Sequence, residues 1–349
     1  MSKPLCYAPF IGLYATHNGK YAPCCSSAQF DFNSPEEYLK SDILKDIKDK
    51  LLKNQWPESC SRCKYHYSDI PTWDYFKSVV KLDQISVLDY RPSNVCNLKC
   101  KMCFASSSNL IEEHVKQNPK LQQWIELPTN GKDQSANIDF IKQNKFKIVK
   151  LLGGEPTADK NVWSLLQIIL DSYDDLPILK FTTNGTNLNN KFVKLIKQFN
   201  HVEITFSIDA VGSTYENIRV NAKWKNTKSN VEDAFKNNIA KKYNFNTVLT
   251  PYNIRDLIPL LEWYYSLYSN GLQFKIHFED SAAYYTSLRA VTPGIINKAS
   301  KDIAIWSKDK DVNFINKILE LTNVIDSVRY DQKSYDSFIS YNNEFNKVI

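Results

Sequence analysis

Apolar residues recur along this chain in two rhythms. Short β-branched or apolar runs stand at residues 85–90 (ISVLDY), 147–152 (KIVKLL), 178–185 (ILKFTTNG), 201–209 (HVEITFSID), 245–250 (FNTVLT) and 272–279 (LQFKIHFE), the last four ending in polar residues. They have the length and composition of buried strands. Between them, residues 162–173, 192–199, 231–242 and 257–268 carry apolar side chains at helical spacing. Strands alternating with helices predict an α/β fold with a parallel sheet and crossover helices.

The flanks read differently. Asn18-Gly19 suits a tight hairpin turn between residues 11–15 and 20–22. Ser34-Pro35-Glu36-Glu37 opens a helix, with serine before a first-position proline and acids in the first turn. Residues 56–81 read as a bridge. Beyond residue 281, Thr292-Pro293 predicts a helix start, residues 313–324 have helical spacing, and residues 330–349 are an aromatic, polar tail. Packing is its expected role.

Composition narrows the class. The chain has 349 residues, of which 43% are hydrophobic and 23% charged, which suits a folded protein with a sizeable core. No apolar run approaches the roughly 20 residues of a membrane span, and the first residues lack a secretory signal, so a cytoplasmic location is expected. The net charge of +6 sets 38 lysines and only 6 arginines against 38 acidic residues. Dispersed lysine among many asparagines is not a phosphate-reading face, and nucleic acid is not an expected partner.

All eight cysteines fall within the first 103 residues: Cys6, Cys24, Cys25, Cys60, Cys63, Cys96, Cys100 and Cys103. A disulfide framework belongs to small secreted domains, so metal or cluster ligation is the better account. Cys96, Cys100 and Cys103 form a C-x3-C-x2-C run on one short stretch. Three ligands leave a cubane one protein ligand short, which implies a distant fourth ligand or one open iron.

This spacing, directly after the strand candidate 85–90, resembles the radical S-adenosylmethionine (radical SAM) family. Gly153-Gly154-Glu155-Pro156 follows the next strand candidate and resembles the family's GGEP segment. A glycine doublet lets backbone approach a ligand where a Cβ would clash. The resemblance implies a partial (β/α)6 TIM-type barrel, with functional groups at strand C-termini. It also implies a [4Fe-4S] cluster on Cys96, Cys100 and Cys103, with S-adenosylmethionine on the open iron. Gly153, Gly154, Glu155 and Pro156 would hold the cofactor's methionine amino group, and Asn184, Ser207, Asp209 and Arg219 its ribose and carboxylate side. Bland alternatives stay open: Asn184-Gly185 as a turn, Ser207 as a helix cap, Arg219 in an ion pair. Met102 stands where many members carry an aromatic residue.

The amino-terminal C-x12-G-x4-C arrangement, with Cys60-x2-Cys63 downstream, resembles the SPASM and twitch auxiliary-cluster modules, here ahead of the barrel rather than after it. Cys6, Cys24, Cys60 and Cys63 would hold a second [4Fe-4S] cluster; four thiolates would satisfy zinc equally well. Cys25 is read as a surplus, buried neighbour, with replacement of Cys24 as the alternative. The expected division is an auxiliary module at 1–80, a barrel at 81–280 and a helical extension at 281–349.

The resemblance implies reductive cleavage of S-adenosylmethionine to a 5′-deoxyadenosyl radical that abstracts hydrogen from a substrate, with an electron donor such as flavodoxin or ferredoxin. An auxiliary cluster favours an oxidation or a peptide modification, on a peptide or a small molecule. His277 and Glu279, at the end of the last strand candidate, are candidate substrate-facing groups, although a His or Glu at a strand end is more often an ordinary solvent-facing or hydrogen-bonded residue. The alternative is a non-catalytic iron-sulfur or zinc-binding scaffold that retains the barrel.

Overall fold

A computed structural model describes residues 4–61, 63, 84–129 and 131–348; most of the bridge expected at 56–81 lies outside them. The described strands, in chain order, are β1 (Gly12–Thr16), β2 (Lys20–Ala22), β3 (Phe30–Asp31), β4 (Val87–Arg91), β5 (Lys99–Cys100), β6 (Ile148–Leu151), β7 (Ile178–Thr183), β8 (Val202–Ser207), β9 (Arg219–Val220), β10 (Lys242–Leu249) and β11 (Lys275–Asp280). All six strand candidates are present, as β4, β6, β7, β8, β10 and β11. The fold is α/β, mostly parallel and of partial-barrel type, as expected.

The chain divides into two compact units, the first made of Met1–Asn94, Thr129–Phe181 and Lys194–Val202, the second of Val95–Pro128, Thr182–Val193 and Glu203–Ile349. In the first, the strands run β7-β6-β4-β1-β2-β3, parallel from β7 through β1 and antiparallel beyond. Register explains the burial. Leu13, Leu88, Val149 and Leu179 are successive Cα partners and form one buried apolar row. Tyr14, Asp89, Lys150 and Lys180, one residue further along, line the opposite face.

The β1–β2 hairpin turns at Asn18-Gly19 as expected, with Gly19 at φ +73°. Its parallel pairing with β4 was not expected, and it makes the amino-terminal segment part of this sheet. The helix after Ser34 is capped by that serine, whose hydroxyl accepts from Glu37 N at 3.2 Å, but it stops at Leu39. Ser41 then caps a second helix, Asp42–Leu52, by accepting from Leu44 N. A second capping serine therefore splits the single helix read from the pattern.

In the second unit β8, β10 and β11 are parallel in that order, and β5 pairs with β9 as a short antiparallel ribbon. Phe206, Phe235, Phe245 and Phe274 pack their rings together on the buried side of β8 and β10. The helix expected at 231–242 lies instead at Trp224–Lys236. It ends where Asn238 adopts φ +45°, and Lys242 already begins β10.

The carboxy-terminal region is helical: Pro293–Ser307, Val312–Lys317, Leu319–Ser327 and Gln332–Phe345. The last lies in the aromatic, polar segment of the expected helical extension, and Asp331 caps it through the Ser334 amide. Among the described residues no helix is long and apolar enough to cross a membrane.

Candidate functional site

In the second unit the three-cysteine loop is held at several points. Cys96 N donates to Asn109 Oδ1 at 2.7 Å, and the Ser108 hydroxyl both donates to Leu98 O and caps the helix Asn109–Gln117. Cys100 lies in β5, directly opposite Arg219 in β9. Cys103 N closes a turn onto Cys100 O at 3.0 Å. The loop is therefore shaped by its own polar neighbours.

Asn97, inside the cysteine motif, is locked into a ring of amides and a hydroxyl. Asn184 Nδ2 donates to Asn97 Oδ1 at 2.9 Å, Asn97 Nδ2 donates to Thr186 Oγ1 at 2.8 Å, and Thr186 Oγ1 donates to Asn184 Oδ1 at 2.6 Å. The side chain of Asn184 thus ties the end of β7 to the loop. Gly185 follows at φ +73°, so the Asn-Gly turn is present as well.

Arg219 and Asp209 form a buried pair. Arg219 NH2 stands 2.7 Å from Asp209 Oδ2, with side chains 8% and 0% exposed, and Arg219 NH1 donates to Cys100 Sγ at 3.8 Å. The contact is made through NH2, while Arg219 Nε makes no hydrogen bond among the described residues. Asp209 Oδ1 accepts from Val248 N at 2.9 Å, which fixes the carboxylate to β10. Burial pushes the Asp209 carboxyl up while the guanidinium opposes it; arginine keeps its charge even there. Burial likewise raises the Cys100 thiol, with Arg219 pulling it down.

Of the remaining candidates of this unit, Glu279 lies near enough to Asp209 to push its carboxyl further up. Ser207 ends β8 opposite Asn246 and caps no helix; the next helix, Gly212–Ile218, has Val211 at its N-cap. His277 and Glu279 are exposed on alternate positions of β11. His277 Nδ1 is 3.7 Å from Glu320 Oε2, and Glu279 Oε1 accepts from Asn246 Nδ2 at 2.8 Å.

In the first unit, Gly153 has φ +116°, and a Cβ there would meet Ser93 O at 2.5 Å. The need for glycine arises within the chain itself: the loop after β6 is folded against the segment after β4, and Gly154 N donates to Ser93 O at 3.2 Å. Glu155 is buried and turned inward, accepting from Thr157 N at 3.1 Å and Thr157 Oγ1 at 2.6 Å. Pro156 is buried beside it.

Also in the first unit, the amino-terminal thiols influence one another. Burial pushes Cys6 up to about 11, and the nearby Cys60 and Cys63 push it further. Cys24 rises to about 12, by burial and then by Cys25 and Cys6; burial raises Cys60 as well. Cys25 is exposed, which corrects its reading as a buried neighbour: it follows Cys24 in a turn that leaves its side chain outside.

Among the described residues no group of three or more His, Cys, Asp or Glu side chains is gathered as for a single metal ion. The donor chemistry nonetheless fits a cationic metal centre at both sets. In the loop Cys103 and Cys96 push up the buried Cys100 thiol, and at the amino terminus buried thiols push up one another, a penalty that ligation to metal reverses by taking the thiols as thiolates. Around Cys100 an arginine already offers part of that compensation. Sequence reasoning missed Asn97, Asn109 and Ser93. Asn97 had a signal, lying between two cysteines; Asn109 and Ser93 had none.

Among curated proteins, the sporulation killing factor maturation protein SkfB of Bacillus subtilis (strain 168) is 24% identical over 127 residues, covering 36% of this chain and 27% of that protein. An uncharacterised protein of Methanocaldococcus jannaschii is 27% identical over 184 residues, covering 52% and 57% respectively. The chain thus spans about a quarter and just over half of these relatives' lengths. Among solved structures, anSMEcpe with bound AdoMet is similar at 20% identity and a TM-score of 0.44, covering 66% of this chain and 61% of that one. Streptococcus suis SuiB bound to precursor peptide SuiA is similar at 15% identity and a TM-score of 0.44, covering 88% and 71%. Residues 90–264, half of the chain, match the radical SAM superfamily. That span contains all three cysteines of the loop, the Gly-Gly-Glu-Pro turn and the Arg219–Asp209 pair. A [4Fe-4S] cluster and S-adenosylmethionine are the cofactors that membership implies, and this chain belongs to the radical SAM superfamily of enzymes.

Proposed function

We propose that this chain is a peptide-modifying radical SAM enzyme with two iron-sulfur clusters. Cys96, Cys100 and Cys103 would hold the first, leaving one iron for the amino and carboxylate groups of S-adenosylmethionine. When bound, the reduced cluster and cofactor supply an adenosyl radical that takes a hydrogen atom from the substrate. The observation that carries this reading is Arg219 donating to Cys100 Sγ within the three-cysteine loop. A fixed cation at a ligand sulfur favours the reduced state of a cluster by offsetting its added negative charge.

The other residues take the roles their motif positions carry. Gly153, Gly154, Glu155 and Pro156 receive the methionine amino group. Ser207 remains with the ribose side, where its hydroxyl is half-buried at a strand end. Asn184 acts through Asn97 on the loop, and Asp209 through Arg219. His277 and Glu279 face the substrate.

Cys6, Cys24, Cys60 and Cys63 would hold the second cluster, whose chemistry there would be that of an electron acceptor for substrate oxidation. The peptide class is supported by the likeness to a protein named for maturation of a killing factor, together with this second cysteine set. A small flavin or iron-sulfur electron donor and a cytoplasmic location complete the reading. The test is anaerobic reconstitution followed by iron and sulfide analysis, then reduction with S-adenosylmethionine present. About eight irons per chain and formation of 5′-deoxyadenosine are expected. A full complement of iron with no cleavage would refute the reading, and four irons with one zinc would reassign the amino-terminal set.

A further inference from the structure

The last helix, Gln332–Phe345, is held against the second unit by polar contacts along its length. Trp124 Nε1 donates to Ser337 Oγ at 3.0 Å, Asn118 Nδ2 donates to Glu344 O at 3.0 Å, and His114 Nε2 bonds Phe345 O at 2.9 Å. Trp124 and His114 come from the chain that follows the cysteine loop. Between those anchors stands Tyr341, completely buried, its ring 4.4 Å from that of Tyr285 and 5.8 Å from that of Trp124. Its hydroxyl donates to the carbonyl of Lys101 at 2.6 Å.

Lys101 lies between Cys100 and Cys103, and every polar group it owns is spoken for. Its amide donates to Ile218 O at 3.0 Å and its ammonium to Asn217 Oδ1 at 2.9 Å, with that nitrogen 5.1 Å from the centre of the Tyr252 ring. Cys103 packs against the same apolar cluster that contains Tyr285, Tyr341 and Phe345. Of these holds, the one on the Lys101 carbonyl comes from outside the region that matches the superfamily.

We propose that Tyr341 is a positioning residue for the radical SAM cluster, its hydroxyl fixing the peptide between Cys100 and Cys103 and thereby the orientation of the two thiolates. This rests on those cysteines being cluster ligands. A carbonyl deprived of its donor in a buried loop is costly to leave unpaired, so the peptide would turn to find another partner and carry the neighbouring ligands with it. The carboxy-terminal helix is then part of the cofactor-bearing machinery, acting through the loop without touching the reacting atoms.

The experiment compares full-length wild type, Y341F and S337A, each reconstituted anaerobically. Iron content, the electron paramagnetic resonance spectrum of the reduced protein before and after adding S-adenosylmethionine, and 5′-deoxyadenosine formation without substrate are measured. The cofactor-induced change singles out a cluster with an open iron. Y341F should keep wild-type iron, show an altered cofactor-induced spectrum, and form 5′-deoxyadenosine about five- to tenfold more slowly, the worth of one buried hydrogen bond. S337A, which removes a bond from the same helix away from the loop, should lower thermal stability and leave the spectrum unchanged. An unchanged spectrum and rate in Y341F would overturn the proposal; wild type without a cofactor-responsive cluster would instead remove the ligand assignment beneath it. If Y341F does not accumulate, Y341H, which retains a donor, is compared with Y341L: the proposal requires the wild-type spectrum in the first and its loss in the second, and identical spectra overturn it.

Discussion

The two cysteine sets of this chain sit in different chemical surroundings. In the second unit, Cys96, Cys100 and Cys103 fall within eight consecutive residues and are surrounded by polar side chains that shape the loop: Asn97, Asn109, Ser108 and the cation of Arg219. In the first, Cys6, Cys24, Cys60 and Cys63 come from well-separated segments, and burial raises three of those thiols. A loop organised by its own hydrogen bonds can present its ligands before metal arrives. Thiols that only desolvate and repel one another depend more on the metal to hold them together.

The sharpest way to break this comparison is Cys100→Ala. It should abolish 5′-deoxyadenosine formation and remove about four irons per chain, leaving the amino-terminal set loaded; residual cleavage would mean that the loop is not the ligand set. Cys63→Ala should also cost about four irons while cofactor cleavage persists, and it should lower the melting temperature more than Cys100→Ala does. Equal losses of stability would erase the distinction between an organised and a metal-dependent set. Arg219→Met strips the cation from Cys100 and leaves Asp209 buried and unpaired, a change that costs about 3–5 kcal/mol of stability. Potentiometry should show the cluster becoming harder to reduce, and an unmoved potential would confine Arg219 to a structural role. The smallest effect belongs to Asn184→Ala, which opens the ring through Asn97 and Thr186. About 1–2 kcal/mol should be lost in denaturant unfolding, with iron retained.

Much of this was legible in the sequence because it is local. A three-cysteine run after an apolar strand fixes its own context, and six strand candidates emerge as strands because β-branched runs bounded by polar residues have few other ways to bury themselves. Boundaries failed where a single side chain decided them: Ser41 restarts a helix, and Asn238 ends one in a left-handed conformation. Gly153 was legible as a special position but not for its reason. Its left-handed backbone and the nearness of Ser93 O mean that Gly153→Ala should cost about 1–3 kcal/mol of stability in thermal unfolding before any ligand is considered; an unshifted transition would return the glycine to a purely ligand-facing role. What stayed hidden were contacts between distant parts of the chain. Nothing around residue 341 announces a bond to residue 101, because such a pairing has no period and no motif.

The parallel pairing of β1 with β4 bears on how this protein can be cut. Residues 12–16 cover the side of β4 that would otherwise present a row of unpaired amides and carbonyls. A shortened chain beginning near residue 84, chosen to isolate the region that matches the superfamily, would bare that row along an apolar strand. Such an uncovered flank invites pairing with other chains, so the trimmed enzyme should precipitate where the longer one stays dispersed.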